Sequence, residues 1–139
     1  MRMSGAFQNV LPADVRAPTL IRGRLRGWLS RLNWPAEEAQ DLLLAVSEAV
    51  SNAAEHAYRP GEPGPIEVVV TPSAPTGGSR TLTVTVTDHG RWRPPPAHHE
   101  GRRRGIPLMR IMTQLLRIDG GVCGTRVTMS SRPVPAPAA

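Results

Sequence analysis

Three polar side chains that can take part in chemistry recur every fourth residue between residues 48 and 58. Glu48, Asn52 and His56 would lie along one edge of a helix, because residues four apart in an α-helix lie one above the other. A carboxylate can orient or deprotonate a nucleophile, and an amide oxygen can bind a hard cation such as Mg²⁺. The same spacing is typical of the solvated side of an ordinary amphipathic helix, so other parts of the chain must decide between the two interpretations.

The surrounding sequence predicts the helix that would carry these side chains. Pro35 followed by Glu37 and Glu38 indicates a helix start, since proline suits the first turn and acidic groups favour the positive end of the helix dipole. We expect the helix to extend to about Ala57. Its buried stripe follows the helical period and consists of Leu42, Val46, Ala49 and Ala53. The polar edge beside that stripe comprises Asp41, Ala45, Glu48, Asn52 and His56.

Composition excludes several classes of site. The 139 residues fit one domain with its own core. All 17 basic residues are arginine, so a Walker-type phosphate loop is excluded because it needs a lysine. The single Cys123 allows neither an internal disulfide nor a cysteine-built metal site, which agrees with a reducing compartment.

The net charge of +6 keeps a nucleic-acid binder open as an alternative, although the few aromatic residues and the lack of a recognisable nucleic-acid module argue against it. No apolar run of about 18 residues is present, so we expect no membrane span. The amino terminus lacks the apolar stretch of a signal peptide. We therefore expect a soluble cytoplasmic protein that does not bind nucleic acid directly.

The rest of the chain alternates strand, helix and loop patterns. Valine and threonine predict strands, turn residues predict loops, and a prolyl-alanyl tail predicts disorder. The expected strands are Ala6–Leu11, Ile66–Thr71, Thr81–Thr87, Leu116–Asp119 and Thr125–Met129, the other helices are Ala13–Leu32 and Gly105–Leu115, the mobile loop is 91–104 and the disordered tail is 132–139. This order predicts an α+β fold, a two-layer α/β sandwich whose mixed but mainly antiparallel sheet is covered by helices on one face.

Four short motifs fall in one order along these elements. They are the polar helix edge, Asp88-x-Gly90 at a strand end, Arg104-Gly105 at a helix start and Gly124-Thr125 at the start of the last strand. Together they resemble the GHKL ATPase superfamily with its Bergerat ATP-binding fold, and most closely its anti-sigma-factor serine/threonine-kinase branch. The resemblance covers residues 6–131, which we take as a histidine-kinase-like ATP-binding domain with 91–104 as its ATP lid.

The resemblance implies roles for the phosphate side of such a site. Asn52 matches the ligand of Mg²⁺, whose bound waters and phosphate contacts suit an amide oxygen. Glu48 matches the catalytic carboxylate that polarises a serine hydroxyl on a protein substrate. Arg104 and Gly105 match the lid end and helix start that face the phosphates, where free backbone amides bind anions.

The resemblance also implies an adenine subsite. Asp88 matches the residue that accepts the adenine amino group, which would select adenine over guanine. Gly90 lets the backbone pass close under the base. Thr125 is expected to hydrogen-bond near the adenine. ATP and Mg²⁺ are therefore the implied cofactors.

Each motif also has an interpretation without a ligand. Asp88-x-Gly90 could simply form a turn, and Gly124-Thr125 could be a hairpin turn. His56 fits a helix end near the negative end of the dipole. Residues 98–100 (His-His-Glu) could suggest a metal site, and residues 102–104 (three arginines) fit either a solvated charge run or phosphate contacts.

The implied function is an anti-sigma-factor-type kinase that phosphorylates an anti-sigma-factor antagonist and sequesters a sigma factor, as a homodimer. The chain departs from that pattern at Trp92, at 94–96 (three prolines), and at Arg102 and Arg103, which replace glycines or stiffen the lid. These departures favour an alternative: a catalytically weak, nucleotide-gated interaction module, such as a phosphatase-associated regulatory domain. A histidine-kinase catalytic module is a further alternative, but no partner histidine helix accompanies it.

Overall fold

A computed structural model of the chain describes residues 5–56, 64–73, 76–90, 113, 115–121 and 124–136. Within these ranges the elements follow the order β1 (Phe7–Pro12), α1 (Ala17–Arg31), α2 (Ala36–His56), β2 (Pro65–Pro72), β3 (Ser79–Arg80), β4 (Leu82–Asp88), β5 (Leu115–Gly121), β6 (Gly124–Ser130) and β7 (Val134–Pro135). Neither helix in the described part of the chain has the length and apolar character needed to cross a membrane.

The sheet has five strands in the order β1-β2-β4-β6-β5. Each of these neighbouring pairs is antiparallel, where the sequence predicted a mixed but mainly antiparallel sheet. Helix α1 packs on β1, and α2 packs on β4 and β2. The predicted α+β fold, with helices over one face of a largely antiparallel sheet, is confirmed.

The core lies between the helices and the sheet. Strand β4 alternates as its sequence predicts, because Leu82, Val84 and Val86 are buried while Thr83 between them is exposed. The buried stripe predicted for α2 is confirmed, with Leu42, Val46, Ala49 and Ala53 all inside. Burial of these paired apolar faces provides the main favourable free energy of folding.

Helix α1 starts four residues later than the sequence predicted. The Asp14 side chain accepts a hydrogen bond from the Arg16 backbone N–H at 2.9 Å, and the Ala17 N–H donates to the Asp14 carbonyl at 3.1 Å. Aspartate therefore closes a turn here, which competes with helix formation. Strand β1 includes Pro12, as an edge strand can. Leu115 begins β5 and does not end a helix, and the rest of the predicted helix, 105–112, lies outside the described residues.

The carboxyl-terminal segment is partly ordered, so the prediction of a disordered tail from Arg132 was wrong for residues 132–136. Strand β7 pairs with β3, Val134 is buried, and the Ala136 N–H donates to the Gly78 carbonyl at 2.8 Å. Prolines in a two-residue edge strand lose few ladder bonds, while Val134 gains burial. Composition alone therefore underestimated the order of residues 132–136. Residues 137–139 lie outside the described residues.

Arg80 joins this small sheet to the helix layer. Its Nη2 donates to the Leu32 carbonyl at 3.0 Å, and its guanidinium carbon lies 4.6 Å from the centroid of the Trp34 ring. The Leu32 carbonyl follows the last turn of α1, where backbone oxygens lack helical partners and attract cations. Arg80 thus fixes the turn between α1 and α2 next to the beginning of β4.

We expect Arg80→Ala to lower the free energy of unfolding by about 1–3 kcal/mol, through loss of the carbonyl contacts and of the cation–π contact with Trp34. Arg80→Lys should recover part of the loss, because it keeps the charge but not the planar fork. Urea unfolding monitored by tryptophan fluorescence measures the change. Arg26→Ala removes an exposed arginine of α1 and should shift stability by no more than about 0.5 kcal/mol; equal effects of the two alanine variants would contradict this role for Arg80.

Candidate functional site

The candidate residues lie at one end of the two layers. The sheet register pairs Asp88, at the end of β4, with Ile66 near the start of β2 and with Thr125 near the start of β6. The hydrogen bond of Arg80 to the Leu32 carbonyl places the α1–α2 turn at the opposite end of the sheet, next to the beginning of β4. Helix α2 therefore runs from that opposite end toward the end that carries Asp88.

Asp88 and Thr125 belong to the last helix-facing row of the sheet. Side chains alternate along a strand, and Asp88 follows Val84 and Val86 on the buried side. The exposed fraction is 5% for Asp88 and 9% for Thr125. Two polar side chains therefore continue the apolar core at the end of the sheet, in positions that would otherwise favour valine or isoleucine.

The Asp88 carboxylate closes a turn to Gly90. Its Oδ1 accepts a hydrogen bond from the Gly90 backbone N–H at 3.1 Å, which is an Asx-type turn. This bond agrees with the interpretation of Asp88-x-Gly90 as a turn that needs no ligand. It does not account for the burial of the carboxylate on the helix side, because a turn-forming aspartate can equally face solvent.

Burial raises the pKa of Asp88 above its ordinary value of 3.8, because desolvation disfavours the charged form. The hydrogen bond from the Gly90 N–H, the Thr125 backbone and the charge of His89 oppose that rise in pKa. A buried carboxylate held partly by backbone donors is costly for a purely structural purpose. Perturbed carboxyls of this kind cluster at functional sites.

Gly124 lets β6 start in close contact with the end of β4. Its φ is +137°, in a region that L side chains rarely adopt, and a Cβ placed on it would lie 2.1 Å from the Asp88 carbonyl oxygen. No side-chain rotation can relieve this clash, since the neighbouring atom belongs to the backbone. The hairpin interpretation of Gly124-Thr125 agrees with the pairing of β5 and β6, but the glycine is required by the approach to Asp88.

The polar edge of α2 faces the β6 side of the sheet. Arg132, which follows β6, places its Nη1 at 3.6 Å from the Asp41 Oδ2. At about 100° per residue, Glu48 and Asn52 lie within about 20° of Asp41 around the helix axis. Both are partly exposed.

These placements define a candidate cleft between α2 and the Asp88 end of the sheet. Asn52 lies on the last turns of α2 and therefore nearer to that end than Glu48. The cleft combines a buried acceptor, Asp88, with a partly exposed amide and a partly exposed carboxylate. Such a combination offers hydrogen-bond acceptors to a polar ligand.

Several predicted site residues cannot be placed. Arg104 and Gly105 lie outside the described residues, as do the predicted lid (91–104) and the alternative metal site at 98–100. His56 is the last residue of α2, which agrees with its interpretation as a helix-end histidine. Their predicted roles stay predictions.

The acceptor at this end of the sheet suits an amine. A carboxylate offers about four acceptor positions, so Asp88 can accept an amine in addition to the Gly90 N–H. Among the described residues no group of three or more His, Cys, Asp or Glu side chains could enclose a metal ion. Asn52 would offer an amide oxygen to a Mg²⁺ ion.

The sequence reasoning did not identify Gly124 as a constrained residue. The available signal was a glycine directly before a threonine that pairs with the end of β4. Sequence alone leaves that signal ambiguous, because any hairpin can contain such a glycine. Only the strand register reveals which backbone atoms it must approach.

Sequence comparisons show which known proteins this chain is similar to. A sequence profile of the histidine kinase-like ATPase domain matches residues 11–131. The serine-protein kinase RsbW of Bacillus pumilus is 43% identical over 60 residues, which cover 42% of this chain and 37% of that protein. The Bacillus subtilis RsbW is 38% identical over 58 residues, which cover 42% of this chain and 36% of that protein. The chain thus spans little more than a third of these curated relatives.

Solved structures share the same fold. The RsbU and RsbW domains of a Mycobacterium tuberculosis protein superpose with a TM-score of 0.72 at 27% identity, over 96% of this chain and 33% of that one. The histidine kinase domain of a blue-light activated histidine kinase from Erythrobacter litoralis gives 0.51 at 25% identity, over 80% and 60%. Family model, relatives and fold agree: the chain belongs to the histidine kinase-like ATPase domain family, and it is similar to RsbW serine-protein kinases.

Proposed function

We propose that this chain is an ATP-dependent serine/threonine protein kinase of the anti-sigma-factor type. It binds Mg²⁺-ATP in the cleft between α2 and the Asp88 end of the sheet, and it phosphorylates an anti-sigma-factor antagonist. The observation that carries the proposal is the burial of the paired residues Asp88 and Thr125 at one end of the core. Helix α2 runs toward this end, so its polar edge approaches a buried hydrogen-bond acceptor.

The adenine end of the nucleotide belongs at this row. Asp88 accepts the exocyclic amine of adenine, which guanine lacks at the same position, and Thr125 donates or accepts one further hydrogen bond. Gly90 is buried and leaves the face of the base free of a side chain. Since the carboxylate is desolvated, a hydrogen bond to it discriminates more strongly than a similar bond in water would.

The phosphate end belongs at the polar edge of α2. Bound Mg²⁺-ATP supplies the phosphoryl group and the cation that offsets its negative charge. Asn52 provides an amide oxygen for that cation, and Glu48 orients or deprotonates the attacking serine hydroxyl. Arg104 and the amides at Gly105 contribute positive charge on the lid side.

The partners belong to the same proposal. The substrate is a serine of an anti-sigma-factor antagonist, and the chain sequesters a sigma factor in the cytoplasm. It acts as a homodimer, for which the edge strand β1 offers an exposed Val10 and the adjacent turn an exposed Val15. Unpaired edges and exposed apolar residues favour association between chains.

A second candidate function is a nucleotide-gated interaction module with negligible catalysis. It is favoured by the altered lid sequence at Trp92, 94–96, Arg102 and Arg103. It also agrees with the Mycobacterium tuberculosis structure, in which an RsbW domain is joined to an RsbU domain. In this function ATP binding changes partner affinity by reordering a segment, and no serine becomes phosphorylated.

Thermal unfolding with nucleotides tests the shared part of both functions. ATP with Mg²⁺ should stabilise the wild-type chain by about 2.7 kcal/mol at about 100 times the dissociation constant, whereas GTP at the same concentration should have little effect. Asn52→Ala should lose the part of the stabilisation that depends on Mg²⁺. If ATP and GTP shift the transition equally, or if neither does, adenine recognition by this chain is refuted.

A further inference from the structure

The start of β6 lies unusually close to the end of β4. A Cβ on Gly124 would be 2.1 Å from the Asp88 carbonyl oxygen, 3.0 Å from the His89 Cα and 3.1 Å from the Asp88 carbonyl carbon. Real Cβ atoms do not approach backbone atoms so closely, so any side chain at this position must push the two strands apart. The φ of +137° at Gly124 adds backbone strain for an L residue.

This contact lies between the two residues assigned to the adenine. Gly124 immediately precedes Thr125, which pairs with Asp88 across the strands. The Gly90 N–H donates to the Asp88 Oδ1 at 3.1 Å, and the Thr125 backbone lowers the pKa of the same carboxyl by favouring its ionised form. Separation of the strands at Gly124 would therefore move the Thr125 backbone away from the carboxylate.

We propose that Gly124 is a positioning residue of this site: by allowing contact between the start of β6 and the backbone of Asp88, it holds the carboxylate and the Thr125 backbone in the arrangement that receives an adenine base. The role of adenine in this inference rests on the proposed function. The positioning of the carboxylate rests on the strand geometry alone.

Few charged groups affect the pKa of Asp88, so its change can be measured. Among the described residues, the charged groups on the strand end, on the two paired strands and on the helix above them are His89, Glu67 on β2, Arg126 on β6 and Glu48 on α2. Glu67 and Arg126 belong to the opposite face of the sheet by strand alternation, and of the four only His89 shifts the pKa of Asp88. Observation of the Asp88 carboxyl carbon itself by NMR reports the protonation of this carboxyl group alone.

The test compares Gly124→Ala with Gly121→Ala, which pairs with Gly124 across the same hairpin. A Cβ on Gly121 meets no atom within 4 Å, so this control adds the same methyl group without a clash. In the nucleotide-free protein, Gly124→Ala should raise the pKa of Asp88, because a donor to the carboxylate is displaced. It should also weaken Mg²⁺-ADP binding in calorimetric titration by at least about tenfold, while Gly121→Ala changes neither quantity.

An unchanged pKa of Asp88 in folded Gly124→Ala would overturn the proposal. If that variant does not fold, an NMR pH titration of the wild-type chain provides the test. The amide resonance of Thr125 should then shift as Asp88 titrates, and this response should vanish in Asp88→Asn. A Thr125 amide that ignores Asp88 would also overturn the proposal. Failure of the wild-type chain to bind ADP would refute the proposed function, whereas the Asp88 titration would still decide the role of Gly124.

Discussion

Replacement of Glu48 by glutamine should slow phosphoryl transfer to the partner serine by about 10²- to 10⁴-fold, the usual contribution of a positioned general base. Nucleotide binding should persist, because Glu48 is partly exposed and lies one helical turn before the proposed cation ligand, Asn52. Glutamine keeps the size and hydrogen-bonding capacity of the side chain but cannot take up the serine proton. The loss should therefore fall on the rate and hardly on the affinity.

Transfer of labelled γ-phosphate to an antagonist protein that the wild-type chain phosphorylates measures this effect. Glu37→Gln is the matched control, since Glu37 is an exposed acid in the first turn of the same helix, at the end away from Asp88. A rate of phosphoryl transfer in Glu48→Gln equal to that of the wild-type chain would show that Glu48 does not take part in the mechanism. Loss of transfer together with loss of ATP binding would instead assign Glu48 to binding.

The second large effect is expected from Asp88→Asn, which should abolish the preference for adenine. A hydrogen bond to a charged group contributes about 1.5–3 kcal/mol, so ATP affinity should fall by about 10- to 100-fold. Asparagine keeps one acceptor oxygen but replaces the other with an NH2 donor, so fewer acceptor positions remain for the Gly90 N–H and the adenine amine. Competition between ATP and GTP in calorimetric titration measures the change, and retained selectivity would refute the role of Asp88.

The same substitution should leave the nucleotide-free protein at least as stable as wild type at neutral pH. Because burial raises the pKa of Asp88, the folded state binds this proton more tightly than the unfolded state. The associated stability is fully present below the ordinary pKa of 3.8 and is lost as pH rises through the raised pKa. Asparagine does not titrate, so its contribution to the free energy of unfolding does not change with pH. The stability of Asp88→Asn relative to wild type should therefore decrease as the pH is lowered from the raised pKa of Asp88 toward 3.8.

Asp119→Asn provides the matched control for this substitution. Asp119 is exposed on β5 and forms a surface ion pair with Arg117 at 3.0 Å, a contact that contributes little to stability. It should leave both nucleotide selectivity and the pH dependence of unfolding as in wild type. A similar loss of selectivity in both variants would point to a general electrostatic effect and not to a specific contact of Asp88.

Periodic patterns allowed the layers of this fold to be predicted. Helix α2 has an apolar stripe, an acidic first turn and a proline before it, so its bounds were predicted to within about one residue. In β4 the alternation of valine and threonine directly encodes one buried and one solvated face. Both signals are local, and burial in the tertiary structure acts in the same direction as the local preference.

Short strands and turns were harder to predict because their cause is not local. Strand β7 exists because Val134 finds a buried place and because β3 offers a partner edge, neither of which is visible in a prolyl-alanyl sequence. The late start of α1 depends on the Asp14 side chain, which prefers a turn to a helix at that position. For the site, the order of motifs indicated Asp88 and Thr125, but the constraint at Gly124 needed the strand register.

The anchoring of β7 has a practical consequence for attaching other molecules to the chain. Val134 and Ala136 are held beside β3, next to the Arg80 contact and opposite to the end that carries Asp88. A fluorophore, an affinity handle or a second protein joined after Ala136 would leave from that opposite end. Nucleotide titrations on such fusions should therefore give the affinity of the unattached chain, whereas attachment before Val134 would disturb the buried anchor.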